Sequence, residues 1–174
     1  MNRLVELTTW ATLINFLTIN QISARVMVTN MGFVDFTPKK RATLECAMEQ
    51  VRSMVGSDQV TMSFPEKRPA TDGTLMDLYR IDYGDRYRQI IDCFSCRQRT
   101  VILNSPGIGP AASFERRRPM SFFSALTEGN QFNRQIAGAQ VIDFEPFDET
   151  LTYDAVHYTD RGNELMFSRL KEAL

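Results

Sequence analysis

Four short apolar runs rich in β-branched residues recur along the chain, and stretches of helical periodicity separate them. The runs are ARVMVTN near residue 26, QVTMSF near 60, RTVILNSP near 100 and AQVIDFEP near 140. Each is typical of a buried strand. Helical spacing occurs at about 39–54, 75–96, 121–137 and 160–173. This alternation predicts an α/β protein, a three-layer α/β/α sandwich whose parallel sheet of about four strands has helices on both faces.

The length and charge of the chain narrow the classes of protein that it can belong to. Its 174 residues contain no linker or low-complexity tract, so 1–174 is predicted to be a single domain. With 20 basic and 21 acidic side chains the formal charge is -1, and no global field draws the protein toward nucleic acid or anionic lipid. No apolar run approaches the roughly 20 residues of a spanning helix. Helical spacing of Leu4, Leu7, Trp10 or Ala11, Ile14 and Leu17 favours a packed amphipathic helix over a targeting segment.

Three cysteines, Cys46, Cys93 and Cys96, are an odd number and too few for a disulfide framework. They favour an intracellular, reducing compartment, either the cytoplasm or an organelle interior such as that of a mitochondrion, over secretion. Cys93 and Cys96 have the C-x-x-C spacing of redox and zinc sites. Only one such pair exists, and Cys46 and His157 are distant in sequence. Packing at a helix end is therefore the preferred interpretation, and no metal or other cofactor is predicted.

Two triplets of basic residues are candidates for contact with the phosphates of RNA or lipid. They are Lys39, Lys40 and Arg41, and Arg116, Arg117 and Arg118. Neither triplet is interleaved with aromatic residues, so solvated surface is the preferred interpretation.

His157 is the only histidine of the chain, and Asp154 lies three residues before it. Thr159 is predicted to cap a helix immediately after this pair. A carboxylate one turn upstream can orient an imidazole and stabilise its charged form, as a general base requires. The alternative is that the two side chains only tie the loop to the edge of the sheet. The spacing by itself does not decide between these interpretations.

The last part of the chain has a distinctive order of elements. The stretches NQFNRQIAGAQVIDFEPF and LTYDAVHYTDRGNELM read as an Asn-bearing helix, a strand that ends in Asp, and an Asp-x-x-His loop before the closing helix. In this order they resemble the ending of the SGNH (GDSL-type) hydrolase and acyltransferase family. TVILNSPG is similar to the preceding strand of that family, and VMVTNMGFVDFT, with Gly32 in an Asn-x-Gly turn, is similar to its second block.

The resemblance implies acyl transfer through a covalent acyl-serine. In that chemistry a serine attacks the ester, His157 takes its proton, and Asp154 orients the imidazole. A backbone N–H of the serine, a glycine N–H and an asparagine side chain form the oxyanion hole, and loss of one such donor typically costs on the order of 100- to 1000-fold in rate.

Several blocks of the family are absent or altered here. MNRLVELTTW contains no Gly-Asp-Ser, and the position of the oxyanion glycine is occupied by Asp35, whose charge would repel an oxyanion. The position of the oxyanion asparagine falls near Lys67 in PEKRP. The nucleophile could lie in an upstream segment, or a hydroxyl such as that of Ser63, Ser105 or Thr8 could reach His157. The Asp-His pair is thus predicted to be vestigial.

The missing serine strand is expected to leave a gap in the middle of the sheet. Either the remaining strands close up, another segment of the chain inserts, or a partner chain donates a strand. The sequence therefore predicts a degenerate, non-catalytic domain that serves as an interaction subunit of a larger protein assembly. The alternatives are an ester hydrolase or O-acyltransferase with its serine elsewhere, and RNA or lipid binding through the basic triplets.

Overall fold

The computed structural model describes residues 9–56, 58, 60–69, 74–107, 120–154 and 156–174, and within them the chain is mixed α/β. The helices are α1 (Trp10–Ile19), α2 (Phe33–Phe36), α3 (Arg41–Val55), α4 (Asp85–Ser95), α5 (Met120–Arg134) and α6 (Asp160–Ala173). The strands are β1 (Val26–Thr29), β2 (Val60–Pro69), β3 (Leu75–Tyr83), β4 (Arg99–Leu103) and β5 (Ala139–Ile142). Leu4 and Leu7, predicted to belong to the first helix, lie outside the described residues. Among the described helices, none combines the length and apolarity needed to cross a membrane.

Three of the four predicted strands form a parallel sheet in the order β1-β4-β5. Val28 of β1 lies opposite Val101 of β4, and Val101 lies opposite Gln140 of β5. β1 therefore pairs directly with β4, and no gap remains between these strands, which is the first of the three alternatives that the missing strand left open. The strands have closed up, so a donated strand has no opening between them.

One face of this sheet supports the main core. Met27 of β1 and Ile102 of β4 are buried there with Trp10, Leu44 and Ile91, which belong to α1, α3 and α4. The periodicity that predicts these helices also predicts the buried faces, because residues at helical spacing share one side of the helix. The core thus positions α1, α3 and α4 against a single side of the parallel sheet.

The opposite face of the sheet is only partly covered. α6 packs on β4 and β5, with Met166 buried beneath it. On this side Val26 and Val28 of β1 remain 41% and 40% exposed. The expectation of helices on both faces is therefore met by one group of helices on one face and by α6 alone on the other.

The second predicted strand belongs to a separate antiparallel hairpin, which corrects the prediction of a fourth parallel strand. β2 pairs with β3 so that Met62 lies opposite Ile81 and Lys67 lies opposite Asp77. The prediction of a helix over 75–83 is also wrong, and helical structure begins only at Asp85. Leu75, Leu78 and Ile81 have helical spacing, but β3 hydrogen-bonds to β2 on one edge and to Lys39 on the other. Pairing on both edges outweighs a short local pattern.

Candidate functional site

The segments that follow Thr29, Leu103 and Ile142 leave the sheet at the same edge, because β1, β4 and β5 are parallel. In open parallel sheets this edge is where ligands bind. The segment after β5 continues to Thr159, whose hydroxyl accepts a hydrogen bond from the Gly162 N–H and caps α6. Asp154 and His157 lie in this segment.

Asp154 and His157 form a hydrogen-bonded pair. His157 Nδ1 lies 2.9 Å from both Oδ1 and Oδ2 of Asp154. The aspartate side chain is only 2% exposed, whereas the histidine side chain is 63% exposed. Asp154 Oδ1 also accepts a hydrogen bond from the His157 backbone N–H at 2.9 Å. Asp154 therefore holds the ring through Nδ1. Because the histidine side chain is exposed, Nε2 is the ring nitrogen that can contact a ligand.

Backbone and hydroxyl contacts hold this loop against the start of α6. Thr152 Oγ1 and the Tyr153 N–H both donate to the His157 carbonyl oxygen at 2.9 Å. The buried Gly162 packs against the Leu151 carbonyl so closely that an added Cβ would overlap the oxygen. Only glycine fits here, because any side chain would push α6 away from the loop. The position of the Asp-His pair thus depends on the close packing of Gly162 in α6 against the backbone of Leu151.

The hydroxyls of Tyr158 and Ser105, near the pair, interact with each other. Burial raises the pKa of Tyr158, the residue after His157, to about 12, although a hydrogen bond with the Ser105 side chain opposes this rise. Ser105 is itself buried. Within the part of the chain that the structure describes, no hydroxyl forms a hydrogen bond with the His157 ring. Ser63 lies in the hairpin opposite Arg80, and Thr8 lies outside the described residues.

A network of asparagines joins α5 to the ends of all three parallel strands. Asn133 is buried and donates from Nδ2 to the Met31 carbonyl at 2.8 Å and to Asn104 Oδ1 at 2.9 Å. Asn104 in turn donates to Asp143 Oδ1 at 2.7 Å. Asn130 accepts from the Ser105 N–H and donates to the Ser105 carbonyl. Met31, Asn104 and Asp143 follow β1, β4 and β5, respectively. The single helix α5 therefore fixes the relative positions of the three loops.

The sequence predicts an Asn-bearing helix here but does not reveal this role. The pattern Asn130, Asn133 and Arg134 places three polar groups on one side of α5 and was the available signal. Arg134 donates to both carboxylate oxygens of Asp143, at 3.0 and 2.8 Å. This guanidinium holds the pKa of Asp143 below its usual range.

Gly32 and Asp35 lie together at the carboxyl end of β1, but Asp35 is directed into the core. Gly32 has φ 125° and approaches Asn133 so closely that an added Cβ would lie 2.6 Å from Oδ1. Asp35 Oδ1 accepts a 2.6 Å hydrogen bond from the Tyr87 hydroxyl, and Oδ2 lies 3.4 Å from the Trp10 N–H. Burial raises the pKa of Asp35 to about 6, against the opposing effect of these hydrogen bonds and of Lys39. The carboxyl group thus supports the start of α1.

Lys67 does not share a described contact with Gly32, Asp35 or His157. It lies in β2, with its ammonium 3.9 Å from Asp77 of the neighbouring strand and its side chain 60% exposed. The structure therefore brings together Asp154 with His157, and Gly32 with Asp35, while Lys67 belongs to the hairpin.

The remaining candidate residues are dispersed. Lys39 donates to the Val34 carbonyl at 2.8 Å, and Arg41 pairs with Glu45, so the first basic triplet is not a uniform patch. The triplet 116–118 lies outside the described residues. Cys93 and Cys96 are exposed free thiols at the end of α4, and no group of metal-binding side chains is found within the described ranges.

The pair of Asp154 and His157 can hold and transfer a proton at Nε2, provided that a substrate or a hydroxyl reaches that atom.

Comparison of the chain with protein-family models, with curated proteins and with solved structures gave no match.

Proposed function

We propose that the chain is a degenerate SGNH-type domain that serves as a non-catalytic interaction subunit of a larger protein assembly. The observation that carries this proposal is the set of hydrogen-bond partners of the His157 ring. Asp154 holds it through Nδ1, yet no hydroxyl of the described residues hydrogen-bonds to it. An imidazole base without an alcohol to deprotonate has no nucleophile to activate.

The surroundings of Asp35 and Lys67 support the same proposal. Acyl transfer needs preorganised donors aimed at the developing oxyanion. The backbone N–H of Asp35 donates to the Gly32 carbonyl at 3.1 Å, and its carboxylate accepts hydrogen bonds from Tyr87 and Trp10. Lys67 lies in the β2–β3 hairpin, where its ammonium is 3.9 Å from Asp77. Neither residue is therefore placed to replace the donors that the family uses.

A role in an assembly agrees with the apolar surface that the described chain leaves open. Val26 and Val28 of β1 and Phe167 of α6 are 41%, 40% and 57% exposed. Together with Leu103 and Met166, the residues Val28 and Phe167 line one groove on the thinly covered face of the sheet. We place this role in a reducing intracellular compartment, because Cys93 and Cys96 are exposed free thiols.

The proposal is tested by activity-based labelling. The chain is incubated with a serine-directed fluorophosphonate and, separately, with p-nitrophenyl butyrate, alongside His157→Ala and Asp154→Asn variants. We expect no covalent adduct and the same background hydrolysis for all three proteins. Labelling of the parent chain that disappears in His157→Ala would refute the non-catalytic role.

The second candidate function is an ester hydrolase or O-acyltransferase whose serine lies upstream or is supplied by another hydroxyl. The specific observation in its favour is that the buried Asp154 still approaches Nδ1 with both oxygens at 2.9 Å, while the histidine side chain is exposed. This is the orientation that a general base needs. Mass spectrometry of a labelled peptide would identify the nucleophile, and a modified Ser63, Ser105 or Thr8 would decide between the local hydroxyls.

A further inference from the structure

A groove lies between α1 and α4. It has a volume of about 390 Å³. Its apolar floor consists of Ile14 of α1 with Ile90 and Phe94 of α4, and the exposed Cys93 lies on its wall. Helix α1 ends beside this region with Ile19, which is 69% exposed. The groove is thus an apolar strip that two packed helices leave uncovered.

The charge of the groove is one-sided. Arg86 and Arg97 line it, and none of the described lining residues is acidic. Arg86 lies in the first turn of α4 and Arg97 lies just beyond its end, 11 positions later. At 1.5 Å per residue the two positions are roughly 16 Å apart along the helix. No described ion pair or hydrogen bond involves either guanidinium, although Arg86 Nη1 and Asp58 Oδ1 both lie beside Gly56.

The spacing of the two cations indicates what kind of molecule complements the groove. A fatty acid or another single-headed amphiphile carries one anionic group and leaves the other arginine unmatched. A helix of a partner protein that lies along α4 can place one carboxylate at each end and apolar side chains between them. Electrostatic complementarity at the rim would set its orientation, while the apolar strip would supply the contact area.

We propose that the α1–α4 groove binds an acidic amphipathic helix of a partner protein, with Arg86 and Arg97 each pairing with one carboxylate. This inference rests on the proposed role as an interaction subunit only for the existence of a partner. The groove contains neither Asp154 nor His157, so its function does not depend on whether that pair is catalytic.

The test uses the full chain and a designed helical peptide. The peptide carries a leucine stripe and one glutamate at each end, 11 positions apart, and its matched control replaces both glutamates by lysine. Binding is measured by fluorescence anisotropy for the parent chain, for Arg86→Glu/Arg97→Glu, and for Arg161→Glu/Arg169→Glu. The last variant changes the charge equally on α6, on the other side of the sheet. Cys93→Trp fills the groove without altering a buried residue.

We expect saturable binding of the acidic peptide to the parent chain and to the α6 variant. Affinity should fall at least about tenfold in the Arg86/Arg97 reversal and in Cys93→Trp, and the lysine peptide should bind the reversal variant better than the parent chain. Absence of saturable binding, or equal affinity for all variants, overturns the proposal. Displacement of the peptide by dodecanoate that depends on only one of the two arginines also overturns it, because this result assigns the groove to a lipid. A dimer in sedimentation that dissociates in Arg86→Glu/Arg97→Glu overturns it as well, because this result assigns the groove to a second copy of the chain. Fluorophosphonate labelling through His157 would instead refute the non-catalytic role and leave the peptide result standing.

Discussion

The hydroxyl of Tyr87 donates a 2.6 Å hydrogen bond to the carboxylate of Asp35 in the interior of the protein. The same hydroxyl accepts a hydrogen bond from the Ala11 N–H at 3.1 Å. Asp35 and Tyr87 therefore accept hydrogen bonds from the N–H groups of Trp10 and Ala11 at the start of α1. The hydroxyl of Thr9 accepts from the Thr12 N–H in the same turn. A buried carboxyl group in this position makes the stability of the fold depend on pH.

We expect Asp35 to destabilise the folded protein at neutral pH. Burial raises its pKa from 3.8 to about 6, so the folded state binds the proton more tightly than the unfolded state. The cost is therefore present above pH 6, and it decreases as the pH falls toward 3.8. The change amounts to about 3 kcal/mol over this interval. Urea unfolding at pH 4.5 and 7.5 should show that Asp35→Asn has lost this component, whereas the exposed Glu149→Gln retains it. An Asp35→Asn variant with the parental pH dependence would contradict the assignment.

Replacement of Gly162 by alanine should separate α6 from the loop that holds His157. The new Cβ would overlap the Leu151 carbonyl oxygen, which belongs to the backbone and cannot rotate away. We expect a loss of about 2 kcal/mol or more in the free energy of unfolding. The matched control is Gly107→Ala, because the nearest atom to its added Cβ is Pro146 at 4.0 Å. Similar stability of the two variants in denaturant titrations would show that the contact is not tight in solution.

Asn133→Ala should destabilise the carboxyl edge of the sheet. It removes the donor to Asn104 Oδ1, which is buried, and to the Met31 carbonyl, which is partly buried. Such a loss typically costs about 1–3 kcal/mol. Gln131→Ala, an exposed substitution in the same helix, serves as the control and should change the unfolding free energy by less than about 0.5 kcal/mol. Faster amide exchange after β1 and β4 in Asn133→Ala alone would confirm that this residue joins the loops.

The ion pair between Arg80 and Glu128 should contribute more to stability than a solvated helical pair. Arg80 donates from Nη1 and Nη2 to the two carboxylate oxygens of Glu128, at 3.2 and 2.6 Å, and so joins β3 to α5. Because both groups are partly exposed, we expect Glu128→Gln to cost about 1 kcal/mol. Glu45→Gln, which breaks the exposed pair with Arg41, should cost less than about 0.5 kcal/mol. Equal unfolding free energies for the two variants would argue against a role for Arg80 in holding the hairpin.

Local patterns in the sequence identify most of the elements. The helical spacing over 39–54 and 160–173 corresponds to α3 and α6, and three of the four β-branched runs become β1, β4 and β5. The sequence also places Asp154 three residues before His157, a spacing that allows the hydrogen bond between their side chains. These features arise from residues that are close together in the sequence, so local patterns are enough to predict them.

Only the tertiary structure decided how distant segments pair. It placed QVTMSF in a hairpin with β3, let β1 close onto β4, and turned the carboxyl group of Asp35 toward Tyr87. Strand pairing and burial depend on contacts between residues far apart in sequence, and the spacing of Leu75, Leu78 and Ile81 was overruled by hydrogen bonds of that kind. The sequence by itself thus determined the segments and their local periodicity, whereas long-range pairing determined the sheet order and the surroundings of each candidate site residue.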